Sequence, residues 1–233
     1  MFDLFSDPVK VAQQLEILQQ EGGFAVWETL YSLLLEVVFA YIIGLPLGVL
    51  LVTGEKEGIH PLPGWLMKVL GWIINVGRSL PFIILMIAIM PFTKALVGTK
   101  IGVPGAIVPL VVSAAPFIAR MVETSLAEVD AGVVEAAQSM GASNLQIVWK
   151  VYLPEAVPSL ILGASISIIT LLGYTAIAGA VGAGGLGDLA IRYGYQRGVT
   201  SMMVVTVIFI IILVQVIQSV FSWLSTKLDK RLR

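Results

Sequence analysis

With 233 residues, 58% of them hydrophobic and 12% charged, a formal net charge of −1 and no cysteine, the chain is excluded from several classes at once. A soluble domain carries about 25% charged residues, so this composition does not supply a water-covered surface, and an integral membrane protein is expected. Nucleic acid demands a basic face that is lacking here, and without cysteine there is no disulfide framework, thiolate metal site or cysteine nucleophile.

The chain begins Met-Phe-Asp-Leu-Phe-Ser-Asp-Pro, without the basic and apolar regions of a cleavable signal. Asp7 is placed to cap a short helix with Pro8 in its first turn. Val11, Leu15 and Leu18 share one face of that helix, opposite Gln13, Glu16 and Gln20. Residues 1–22 are therefore expected to lie on the membrane surface as an interfacial segment.

Five segments then carry the roughly 20 apolar residues a bilayer span needs: Val26–Val52, Trp65–Phe92, Ile101–Thr124, Pro158–Ala180 and Ser201–Leu224. They make residues 23–226 an all-α membrane domain of five transmembrane helices, followed by a basic tail over 227–233. Pro81 and Pro91 are expected to interrupt the second span, and Pro109 and Pro116 the third. Trp27, Trp65 and Trp223 stand near span ends, where interfacial anchors belong. His60, the one histidine, sits in a Gly-Ile-His-Pro loop with no partner ligands.

Five spans put the termini on opposite sides. With the C-terminus inside, Lys56, Lys68, Arg120, Lys150, Lys227, Lys230, Arg231 and Arg233 are cytoplasmic, against Lys10, Lys94, Lys100, Arg192 and Arg197 outside. That distribution follows the positive-inside tendency. Glu36 and Arg78 fall within the first and second spans. Either alone in hydrocarbon is costly, so a mutual pair or other internal partners are expected.

Between the third and fourth spans, residues 125–157 form the one long polar-containing connection. It reads as two short helices. One covers Asp130–Met140 and is stopped by Gly141, a good residue to follow a helix end. The other opens with Ser143 and Gln146 at the spacing of a capping box and is expected to stop before Pro154 and Pro158.

Glu135-Ala136-Ala137, three residues, Gly141, nine residues, then Val151-x-Leu153-Pro154 are in register within that connection. This pattern resembles the signature of binding-protein-dependent ABC importer permeases. The stretches "NVGRSLPFIILMIAIMPFTKALVGTKIG", "IVPLVVSAAPFIARMVE" and "GYTAIAGAVGAGGLGDLAIRYGYQ" are similar to the methionine-uptake subfamily. The resemblance implies a type I ABC importer permease fold in a bacterial inner membrane. It implies a homodimer, two copies of a cytoplasmic ATPase that hold the ATP and magnesium, and an extracytoplasmic binding protein delivering methionine or a close derivative. It makes the short helix at Glu135, Ala136 and Ala137, with Gly141, Leu153 and Pro154, the element that couples to the ATPase. No catalytic residue, cofactor or metal is then expected on this chain.

Gly182, Gly184 and Gly187 match a dinucleotide-binding spacing, but the acidic residue needed about 20 positions later is missing, and Gly187 is followed by Asp188 rather than Lys. These glycines are expected instead to bend the chain at the end of the fourth span or to let helices pack closely. Arg192, Tyr193, Tyr195 and Arg197 follow, either as part of a receiving surface for the binding protein or as a plain exposed loop. Within the fourth span, Ser159, Gly163, Ser167, Thr170, Tyr174 and Ile177 fall on one stripe at 100° per residue, with Ile161, Ile168 and Leu172 opposite. The stripe is either a translocation path gated by Ile177 or a tight helix seam. A secondary transporter would need inverted repeats, which are not evident; a permease for an osmolyte, phosphonate or other amino acid remains the nearer alternative.

Overall fold

The computed structural model describes residues 16–229. Of the interfacial helix expected from Asp7 to Gln20, residues 7–15 lie outside the described residues, and the rest is helical. Among those described, all regular structure is helical. A π-turn at Leu18–Gly22 leads into α1 (Gly23–Thr53), followed by α2 (Gly64–Ser79), α3 (Phe82–Val97) and α4 (Gly102–Ala127). Next come α5 (Ala131–Ser139), α6 (Asn144–Ile147), a π-turn at Val148–Tyr152 and α7 (Leu153–Gly179). The chain ends with α8 (Gly185–Leu189), a π-segment at Ala190–Gln196 and α9 (Thr200–Leu228).

Four helical runs are long and apolar enough to cross a membrane, at Leu18–Thr53, Gly102–Ala127, Asn144–Gly179 and Thr200–Leu228. A fifth is reached where α2 and α3, a broken pair bent by 108° at Leu80–Pro81, count as one span. Pro81 therefore interrupts its span as expected. Pro91, Pro109 and Pro116 do not: Pro91 lies inside α3, and α4 runs unbroken through the other two. Neighbouring helices can accommodate such prolines in a bundle. At Pro116 the ring packs on α2, where a Cβ built on Gly77 would stand 2.8 Å from the Pro116 Cγ.

The chain divides into two compact units. One comprises Met1–Val37, Pro81–Val111 and Thr170–Val216. Its core gathers Phe82 and Met86 of α3, Ala106 and Leu110 of α4 and Ala178 of α7. A second cluster sets Ala25 of α1 against Leu186, Leu189, Tyr193 and Met202.

The other unit comprises Val38–Leu80, Val112–Ile169 and Ile217–Arg233. Here Leu51, Ile74 and Ala119 form a buried cluster. α1 and α4 approach backbone to backbone through Gly44 and Gly48, one turn apart. A Cβ at Gly44 would come within 2.7 Å of Ile118, and one at Gly48 within 2.6 Å of the Ala119 carbonyl oxygen. Small residues at four-residue spacing allow this approach where lipid gives no hydrophobic drive to associate. Arg120 ties α4 to α2, donating to Asn75 Oδ1 at 3.0 Å and to both Glu123 oxygens at 2.8 and 2.6 Å.

Candidate functional site

The connection after α4 is rigid by its own local chemistry. Asp130 caps α5, its carboxylate accepting the Gly132 N–H at 2.7 Å. The helix ends in a Schellman motif. Gly141 stands at φ 79° and donates to Gln138 O at 2.9 Å, and Ala142 donates to Ala137 O at 3.1 Å. Ser143 then starts α6 with a complete capping box: Gln146 N–H donates to Ser143 Oγ at 3.4 Å and Ser143 N–H to Gln146 Oε1 at 2.9 Å. The loop residue His60 reaches this start, its Nδ1 lying 3.3 Å from Asn144 Nδ2.

The helix does not stop before Pro154 and Pro158, as the prolines suggested. A π-turn intervenes, with Leu153 N–H bonded to Val148 O, and Asn144–Gly179 runs as one span. The wider turn relieves the clash a proline ring makes with the carbonyl four residues back, so the run continues through Pro154.

Of the residues singled out in this connection, Glu135, Ala136 and Gly141 are exposed and Pro154 is too, while Leu153 is half-buried. Ala137 and Val134 turn inward. Ile147, fully buried, anchors the second short helix. Apolar side chains otherwise project outward: Met140 is 81% exposed, Leu145 68% and Trp149 63%. The helix–turn–helix thus presents small, acidic and large apolar groups together.

The stripe on α7 resolves differently along its length. Ser159 donates to Ser125 Oγ at 3.1 Å. A Cβ on Gly163 would meet Met121 and Ser125 at 3.5 and 3.6 Å. Ser167 is fully buried and donates to Gly163 O at 2.8 Å. Tyr174 stacks on Phe82, with centroids 4.8 Å apart. These groups pack against their own chain, as a seam does; Thr170 beside them is half-buried. Ile177 does not share that burial: it is 43% exposed, like Leu162 and Ile166 at 45% and 51%. Ile161 and Ile168 are half-buried and Leu172 is buried. Five helical turns bring Ile177 back to the azimuth of Ser159, but the neighbours at that end of α7 are different ones.

Glu36 is fully buried and takes its partner from α7, where Thr175 Oγ1 donates to Oε2 at 3.1 Å. Its Oε1 is buried without a hydrogen-bond partner among the described residues. Glu36 thus has an internal partner other than Arg78, while Arg78 stands exposed at the end of α2.

The glycine stretch folds back on α7. Gly179 and Gly187 allow the return, since a Cβ on Gly187 would run into the Ala176 carbonyl. Gly182, Gly184 and Gly185 take φ 87°, 84° and 78°. The turn is pinned to α1: Gly185 N–H donates to Glu28 Oε2 at 2.9 Å, and Leu186 N–H to Thr29 Oγ1 at 2.8 Å. Arg192 bridges Glu21 at 2.8 Å and Asp188 at 2.9 Å. Tyr193 is buried rather than part of an exposed loop, donating to Glu21 Oε1 at 2.5 Å beneath the Arg192 and Arg197 guanidinium groups. That hydrogen bond raises the Tyr193 pKa above the usual phenol value. Burial opposes the Arg192 charge, but Asp188 and Glu21 outweigh it, and its pKa is raised. Tyr195, 77% exposed, and Arg197, also exposed, face outward.

Residues 44–233 match the family model described as the binding-protein-dependent transport system inner membrane component. The chain belongs to this family. Its all-helical architecture, four to five candidate spans and type I ABC importer permease fold agree with that membership. A probable D-methionine transport system permease protein of Vibrio cholerae is 51% identical over 208 residues, covering 89% of this chain and 92% of that one. A methionine import system permease protein of Bacillus subtilis is 48% identical over 164 residues, covering 70% of this chain and 74% of its own. Among solved structures, an inward-facing conformation of the MetNI methionine ABC transporter superposes with a TM-score of 0.85 at 46% identity, covering 88% of this permease and 94% of that chain.

Gly44 and Gly48, which seat α1 on α4, are marked in the sequence only by their four-residue spacing. Glu21, Glu28 and Thr29 anchor the glycine turn from more than 150 residues away, and no short-range signal marks them.

Proposed function

We propose that this permease works as a homodimer with two copies of a cytoplasmic ABC ATPase and an extracytoplasmic binding protein, importing methionine or a close derivative. The solute rests on similarity, over 89% and 70% of this chain, to permeases named for methionine transport. The coupling rests on the exposed face of the connection. Ala136 lets a partner surface approach, Glu135 offers a charge-assisted contact, and Gly141 holds the turn between α5 and α6. Leu153 and Pro154 carry any displacement of that turn into α7. Hydrolysis of ATP, with its magnesium, is assigned to the partner subunit; transport by this chain needs only that docking alters the packing of its spans.

The orientation that fits has the N-terminus outside and the C-terminus in the cytoplasm, so that the connection faces the ATPase and the glycine turn faces the binding protein. Residues 1–22 are assigned to the membrane surface, 23–226 to the permease domain and 227–233 to a cytoplasmic basic tail. On α7, exposed Ile177 is assigned to the pathway as an apolar plug facing its counterpart in the second copy. Ser159, Gly163 and Ser167 are assigned to the helix seam, and Tyr174 to the α3 contact. Cysteine cross-linking of Ala136→Cys to the partner ATPase tests the docking assignment. A cross-link formed there, and not from Arg197→Cys, is the expected result; the reverse pattern overturns both the docking face and the orientation.

A further inference from the structure

Two pockets flank one pair of elements, the start of α1 and the α8 turn with the π-segment after it. One, of about 490 Å³, is polar and is lined by Glu21, Glu28, Asp188, Arg192 and the backbone of Gly184 and Gly185. The other, of about 350 Å³, is lined by Leu18, Gly23, Val26, Leu186, Leu189 and Phe209, with Thr206 beside them. Leu189 lines both. Apart from Thr206, whose hydroxyl donates to Met202 O at 2.7 Å, the residues lining the apolar pocket carry no polar side chain, so water is poorly held there.

The level in the bilayer is marked by Trp27 and Tyr31, which stack on each other and are 62% and 43% exposed. Such aromatic pairs sit where headgroups meet acyl chains. Phe209 is 47% exposed on α9, about two turns inside that helix. The polar pocket is thus at headgroup level and the apolar one opens toward lipid.

Charge selects the headgroup. Arg192 is already bridged by Glu21 and Asp188. Glu28 accepts the Gly185 N–H through Oε2 and has no ion pair among the described residues. Three carboxylates around one guanidinium repel an anionic headgroup. They suit a primary ammonium hydrogen-bonded to Glu28. We propose that the α1 start and the α8 turn together form a binding site for a phospholipid with a primary-amine headgroup, its ammonium at Glu28 and an acyl chain in the apolar pocket. The site is independent of the transported solute and of the orientation of the chain.

The test uses the complete permease–ATPase complex in detergent, with native mass spectrometry after exposure to equal amounts of phosphatidylethanolamine, phosphatidylcholine and phosphatidylglycerol of the same acyl composition. The wild type is expected to retain one phosphatidylethanolamine per permease chain, about tenfold over phosphatidylglycerol. Gly23→Leu fills the apolar pocket. A Cβ at Gly23 meets nothing within 4 Å, and leucine favours the helix, so the variant should fold. It should lose retention of all three lipids. Glu28→Gln keeps an acceptor for Gly185 and should retain lipid while losing the preference for the primary amine. Equal or better retention of phosphatidylglycerol by the wild type overturns the proposal, as does undiminished retention by Gly23→Leu or an unchanged headgroup preference in Glu28→Gln.

Discussion

Gly141→Val isolates the role of the turn in the connection. Gly141 has φ 79°, and a Cβ added there meets nothing within 4 Å, so valine brings a backbone cost and no clash within the chain. Holding an L-residue in the left-handed region costs about 1–2 kcal/mol, rising toward about 3 kcal/mol for a strained, β-branched side chain. If the variant instead abandons that conformation, the bonds from Gly141 to Gln138 and from Ala142 to Ala137 are lost and the register between α5 and α6 slips. At about 1.4 kcal/mol per tenfold, the docking-competent turn becomes about 5- to 150-fold rarer. The affinity of the reconstituted permease for its ATPase should fall by that factor, with membrane insertion intact. Asparagine tolerates the left-handed region, so Gly141→Asn should lose far less. Wild-type affinity and uptake in Gly141→Val would refute the reasoning. Equal, severe loss in both variants would point to crowding against the partner rather than to backbone conformation.

Gly48→Leu should prevent α1 from seating on α4, because even a Cβ comes within 2.6 Å of the Ala119 carbonyl; a sharp fall in thermal stability of the purified permease checks this, and a wild-type melting temperature would contradict it. A double-mutant cycle on Glu21→Gln and Arg192→Gln should give a coupling of about 0.5–1 kcal/mol, since both groups are more than a third exposed; additive effects would remove the bridge from the account. Ile177→Ala should leave stability nearly unchanged but raise basal ATP hydrolysis relative to uptake, whereas Leu172→Ala, at a position only 2% exposed, should cost about 2–5 kcal/mol in packing; uncoupling by Leu172→Ala alone would put the pathway on the other face.

Much of the fold was legible because its signals are local. The apolar runs gave the spans, and Gly141 and the Ser143–Gln146 pair gave the ends of the short helices. What the sequence concealed depends on distant neighbours. Proline predicts a break only when nothing accommodates it, and at Pro154 a π-turn in the preceding residues does so. The α7 stripe reads as a path or as a seam, and the packing of Ser125 and Met121 against Ser159 and Gly163 leaves no mark in its spacing. Glu36 finds Thr175, 139 residues away. That pairing follows from helix packing and leaves no trace in spacing. Tyr193 seemed able to face the binding protein, yet its partner Glu21 comes from the far end of the chain.

The central claim is ATP-driven methionine import through this chain. It is tested most directly in proteoliposomes holding the permease with its ATPase, the binding protein on the side opposite the ATPase, and labelled methionine. The account predicts uptake that requires ATP, the ATPase and the binding protein together, survives an uncoupler, and is absent when the permease is reconstituted alone. Uptake driven by an ion gradient without ATP, or ATP-dependent transport that leaves methionine outside while moving another solute, would contradict it.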